Sequence, residues 1–107
     1  MASLDVASMR AAVLAGRIEW KRHALERMVL RGITRKNVIS IVLCGQQIED
    51  YAEDYPLPSA LFLGHVGDRP LHVVATYNPS RKMAMIITAY EPNIIRFNRD
   101  FKTRKEQ

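Results

Sequence analysis

Three histidines, His23, His65 and His72, are the side chains of this 107-residue chain whose ordinary pKa lets them exchange protons near neutrality. His23 has company suited to such work. Glu26 and Arg27 follow it by three and four residues, which on a helix puts all three on one face. A base, an acid and a cation so placed suit RNA cleavage by attack of a 2′-hydroxyl. One group takes the 2′ proton, the guanidinium stabilises the charged phosphorane, and another group protonates the leaving 5′ oxygen. The same residues also fit a solvated helix surface on which His23 bonds Glu26. His72 shares a strand face with Val74 and Thr76, while Leu71, Val73, Ala75 and Tyr77 take the other. It reads either as a second proton-transfer group or as a satisfied structural imidazole. Thr88 and Tyr90 share a face of the following strand, where their hydroxyls could meet a phosphate or sit at a sheet edge.

Metal and cofactor chemistry have little footing. The histidines lack a short ligand spacing, and Asp50, Glu53 and Asp54 read as an acidic loop. Gly32, Gly45, Gly64 and Gly67 are isolated, so no glycine-rich phosphate loop is present. The one cysteine, Cys44, excludes an internal disulfide and reads as core at the end of a helix. No metal and no cofactor are expected.

The elements that must hold these residues can be read from periodicity. A first helix is expected from about Asp5 to Ala15, capped by Ser3 or Asp5, with Val6, Met9, Val13 and Leu14 as its buried stripe. Ile18 to Trp20 reads as a short extended lead-in. A second helix from Lys21 to Leu30 should bury Ala24, Leu25, Met28 and Val29, leaving His23, Arg27 and Arg31 in a row outside. Thr34 then caps a third helix, Arg35 to Cys44. From Gln46 the period changes to two. Strands are expected over 47–51, 60–66, 71–77 and 83–90, with Gly67-Asp68 as a hairpin turn. Ile94, Ile95 and Phe97 should pack once against the core, with fraying after Lys102. The whole reads as one α+β domain over 1–107: N-terminal helices on a four-stranded, mainly antiparallel sheet.

Composition agrees with a globular domain, at 48% apolar and 25% charged residues. No apolar stretch approaches the roughly 18 residues of a membrane span, and the N-terminus does not read as a secretory signal, so a cytoplasmic protein without membrane contact is expected. The net charge of +5 is uneven. Residues 1–47 carry +5, residues 48–78 carry −4 and residues 79–107 carry +4. Such a distribution fits either a phosphate-binding surface, with Arg31, Arg35 and Lys36 as backbone contacts, or a merely solvated one.

Several segments together resemble a known family. His23-Ala24-Leu25-Glu26-Arg27-Met28, Arg31-Gly32-Ile33 and Val38 to Gly45 are similar to the start of the bacterial domain of unknown function numbered 4258. Pro58-Ser59, Leu63-Gly64, Arg69-Pro70-Leu71-His72-Val73-Val74 and Ile87-Thr88-Ala89-Tyr90-Glu91-Pro92 are similar to its later part. The resemblance spans residues 18–104, leaving 1–16 as an additional helix. It implies a RelE-like toxin fold with the helix of His23 and Arg27 beside the sheet of His72 and Tyr90. On that fold-level analogy the expected activity is a metal-independent endoribonuclease of toxin type. Its partners would be RNA and an antitoxin-like protein, and self-association is open. His23, Glu26, Arg27, His72 and Tyr90 would be its catalytic residues. The alternative is a non-catalytic binding module of the same fold, touching a protein or nucleic acid near Tyr55 to Leu61.

Overall fold

The computed structural model describes residues 3–93, 97 and 99–104. The elements run α1 (Val6–Leu14), β1 (Ile18–Trp20), α2 (Arg22–Arg31), α3 (Arg35–Cys44), β2 (Gln46–Tyr51), β3 (Ser59–Val66), β4 (Arg69–Asn78) and β5 (Met83–Tyr90). The expected packing of Ile94 and Ile95 lies outside the described residues.

Local chemistry sets the helix ends. The Asp5 carboxylate accepts from the Ser8 backbone N–H at the start of α1. Thr34 and Asn37 form a reciprocal capping box on α3. Gly32 ends α2 in the left-handed region at φ 65°, and the Ile33 N–H then reaches back to the Met28 carbonyl.

The sheet has five strands, not the four expected, in the order β1-β5-β4-β3-β2. The extra one is β1, which pairs in parallel with β5 at one edge through Ile18↔Ala84, Glu19↔Met85 and Trp20↔Ile86. Three residues are too few to display a period, so only the alternation of Ile18, Glu19 and Trp20 hinted at it. The other pairings are antiparallel.

All three helices pack on one face of the sheet, where Met9, Val13, Met28, Val38 and Val42 meet Phe62, Leu71, Val73 and Ile86 in a closed core. Arg10 fastens α1 to α3 by donating to the Val42 and Gly45 carbonyls, both at 2.9 Å. The buried stripes are narrower than expected. Leu14, Val29 and Leu30 are 75%, 80% and 80% exposed. Val29 lies 100° around the helix from Met28, and α2 packs mainly on β5, towards the sheet edge, so that side has nothing to bury it. Cys44 is also exposed rather than core, because it lies on the Ser40 side of α3, away from Val38, Ile41 and Val42.

The opposite face of the sheet carries the polar residues. Each of its two bulges adds a residue: Ile48 in β2, and Ile87 in β5. The resulting register puts Glu49, Tyr51, Ser59, His72, Thr76 and Tyr90 on this second face. Two pieces of the chain cover it in part. The loop after β2 holds Thr76 through the Pro58 carbonyl and Ser59 through Asp54. Phe97 and Phe101 lie against His72.

Candidate functional site

The residues singled out by sequence occupy two separate places. His23, Glu26 and Arg27 stand on the solvent face of α2, all exposed. Glu26 pairs with Arg22 at 3.3 Å rather than with His23, and among the described residues His23 and Arg27 make no hydrogen bond or ion pair. His72 and Tyr90 lie on the second sheet face, facing one another across β4 and β5. The clefts at Tyr90 are not lined by His23, Glu26 or Arg27. Of the three basic residues read as backbone contacts, Arg31 donates to the Ala89 carbonyl at 2.8 Å. Arg35 lies 5.8 Å from the Trp20 ring centroid, and Lys36 is exposed.

His72 is fully buried. Its ring meets Tyr90 edge-on with centroids 5.4 Å apart, and Phe97 edge-on at 4.7 Å. Burial holds its pKa below the usual 6.5, so the imidazole is neutral at pH 7. The guanidinium of Arg104 lies over the Phe97 ring, 4.8 Å from its centroid, and grips Glu49 with two bonds of 2.7 and 3.0 Å. Tyr51 donates its hydroxyl to the same carboxylate. Arg104 keeps Glu49 below the usual carboxylate range, whereas burial and the Glu49 bond push the Tyr51 phenol up to about 12. Arg104 is thus engaged, where fraying beyond Lys102 was expected.

A cleft of about 230 Å³ opens beside this cluster, walled by Tyr90, Glu91, Asn93, Phe97 and Arg104. A shallower groove bordered by Arg31, Arg69, Tyr90 and Glu91 adjoins it. Arg69 is braced by Glu91 at 2.7 Å and by the carbonyls of Arg31 and Gly32. Tyr90 therefore sits among Arg31, Arg69 and Arg104. Guanidinium groups around an aromatic ring can hold a phosphodiester and stack a base. Among the described residues, no three His, Cys, Asp or Glu side chains converge as metal ligands.

The sequence profile of the family described as Domain of unknown function (DUF4258) matches residues 20–91, two-thirds of the chain. The chain belongs to the DUF4258 family. The match begins at Trp20 and ends at Glu91, so it takes in α2 and Tyr90 but leaves α1 and Arg104 outside. No curated protein and no solved structure matches the chain. No helix among the described residues is long and apolar enough to cross a membrane.

Glu49, Tyr51, Arg69 and Arg104 were not singled out in the sequence. Glu49 and Tyr51 gave a usable signal, being two apart on a strand and so on one face. The strand over 47–51 was expected, but the neighbouring acids Asp50, Glu53 and Asp54 read as an acidic loop, and no role was given to Glu49 or Tyr51. Arg104 is 55 residues from its partner Glu49 and carries no local sign of the pairing.

Proposed function

We propose that this DUF4258 protein acts on RNA as a metal-independent endoribonuclease of toxin type, with the substrate backbone lying over Tyr90. The observation that supports this reading is the placement of Arg31, Arg69 and Arg104 around one phenol, beside a neutral imidazole and a carboxylate on the same sheet face. A phosphodiester in the cleft meets the positive charge a phosphorane requires, and Tyr90 is the group assigned to protonate the leaving 5′ oxygen while the 2′-hydroxyl proton passes to water. The helices-then-sheet layout is read as RelE-like, which agrees with an antitoxin-like partner and a cytoplasmic RNA target. The His23, Glu26 and Arg27 set on α2 is the other seat for the same chemistry.

A non-catalytic binding module is favoured by one specific observation. His72 is tied to the Phe101 carbonyl and Glu49 to Arg104, so both proton-transfer groups are engaged. The deciding experiment incubates the protein, with a chelator present, with a labelled oligoribonucleotide and its 2′-O-methyl counterpart. Cleavage of the first alone, lowered about a hundredfold or more by Tyr90→Phe or Arg104→Ala, is the expected result. Loss of cleavage only in the His23→Ala/Arg27→Ala variant moves the site to α2. Binding of both oligonucleotides without cleavage identifies a binding module, and absence of both binding and cleavage overturns the RNA reading.

A further inference from the structure

The molecule carries, at two distant places, an apolar bulge flanked by cations and an apolar socket flanked by carboxylates. The bulge is Val29 and Leu30 near the end of α2, each 80% exposed. A soluble monomer gains nothing by displaying two adjacent large aliphatic side chains on a helix. Around them stand Arg22, His23, Arg27 and Arg31, with Glu26 as the single acid, already taken by Arg22. The socket is a cavity of about 430 Å³ between the loop after β2 and the β4–β5 turn, walled by Tyr55, Pro56, Leu57, Tyr77 and Pro79. Among the described residues, the carboxyl and amine side chains on its lining are all acidic: Asp5, Glu53 and Asp54. Among the described residues the Glu53 carboxylate makes no hydrogen bond or ion pair. Tyr55, on its rim, is 95% exposed.

The two surfaces cannot meet within one chain. Tyr77, in the socket wall, pairs with Ala84 at the start of β5, whereas Arg31 reaches the Ala89 carbonyl near the strand's far end. Five residues of strand separate these levels, about 17 Å at ~3.3 Å per residue. Bulge and socket can meet only between molecules. We infer that the α2 bulge of one copy docks into the Tyr55 socket of a second copy. The contact is head-to-tail, so a pair of copies keeps one free bulge and one free socket between them, and association continues into rings or open chains. Apolar insertion supplies the attraction and the opposed charges set its orientation. Added salt therefore weakens the contact without abolishing it. This inference is independent of any action on RNA.

The test is light scattering coupled to size exclusion over a concentration series, with two variants at exposed positions. Leu30→Glu removes the bulge and keeps the socket; Tyr55→Glu removes the socket and keeps the bulge. Unchanged melting curves check that both variants fold. Wild type is expected to gain mass with concentration, while each variant alone stays monomeric or has its apparent Kd raised at least about tenfold. The equimolar mixture of the two variants is expected to form a dimer, since it holds one intact bulge and one intact socket. A wild type that stays monomeric throughout overturns the inference and leaves the socket to a basic partner protein. Variants that associate like wild type, or a mixture that stays monomeric while wild type associates, overturn it as well.

Discussion

The carbonyl oxygen of Phe101 lies 2.7 Å from Nε2 of His72. A carbonyl can only accept, so Nε2 carries the proton and Nδ1 is left as the acceptor. Among the described residues Nδ1 is buried without a partner. The ring is thereby fixed in one tautomer and in its neutral form. Protonation would add a second N–H where nothing receives it.

The consequence can be read by titration. Burial lowers the folded pKa of His72 below the usual 6.5, so the unfolded chain takes up a proton first as pH falls. Its contribution to stability is complete above pH 6.5 and declines as pH falls from there toward the folded value. The slope from this one group cannot exceed about 1.4 kcal/mol per pH unit. Nitrogen-15 NMR of the imidazole should show the Nε2–H tautomer persisting below pH 6.5. A ring half-protonated at 6.5 or above would refute the burial argument.

A second pH window belongs to Glu49. Arg104 lowers its folded pKa below the ordinary 4.5, so its stabilising effect is full above about pH 4.5 and is lost as pH falls toward the folded value. Arg104→Ala should flatten this acid limb. At neutral pH it should cost only about 1 kcal/mol, because the Arg104 side chain is half exposed and water screens the pair. Urea melts of both proteins between pH 3 and pH 7 measure it.

Much of the frame was legible in the sequence because it depends on local chemistry. The Thr34 cap and the period of Val38, Ile41 and Val42 place α3 at Arg35–Cys44, and Met83–Tyr90 is the strand the apolar run implies. The cross-strand meeting of His72 and Tyr90 was not legible, since it depends on how β4 registers against β5. Nor was β1, whose partner lies more than 60 residues later in the chain. The α2 row of His23, Glu26 and Arg27 drew notice because helical spacing displays it. The pairing of Glu49 with Arg104 rests on a tertiary contact that no spacing rule reports.

Tyr51 should be separable from the other phenols. Desolvation first, and its bond to Glu49 second, raise its pKa to about 12. Since the fold favours the neutral phenol, this contribution is full below pH 10 and is lost as pH rises from 10 toward 12. Ultraviolet titration should show one tyrosine ionising near 12, and Tyr51→Phe should remove that step alone. Retention of the step in the variant would assign it elsewhere.

The packing of α3 on the sheet is the last relationship open to a direct test. Ile41 lies against Gly64 of β3 so closely that a Cβ on Gly64 would stand 2.6 Å from the Ile41 Cγ1. A Cβ on Gly45 would stand 2.4 Å from the Ile41 carbonyl oxygen and 2.7 Å from that of Leu63. The two clashes differ in kind. At Gly64 the obstacle is a side chain, so Gly64→Ala should cost about 1–3 kcal/mol. In a double-mutant cycle with Ile41→Ala, which removes the crowding Cγ1, Gly64→Ala should cost less than it does beside Ile41. At Gly45 the two nearest obstacles are backbone, so Gly45→Ala should cost more, and Ile41→Ala should not rescue it. Guanidinium melts of the single and double variants provide the comparison. Equal rescue at both positions would show that the strain at Gly45 is carried by the Ile41 side chain rather than by the two carbonyls.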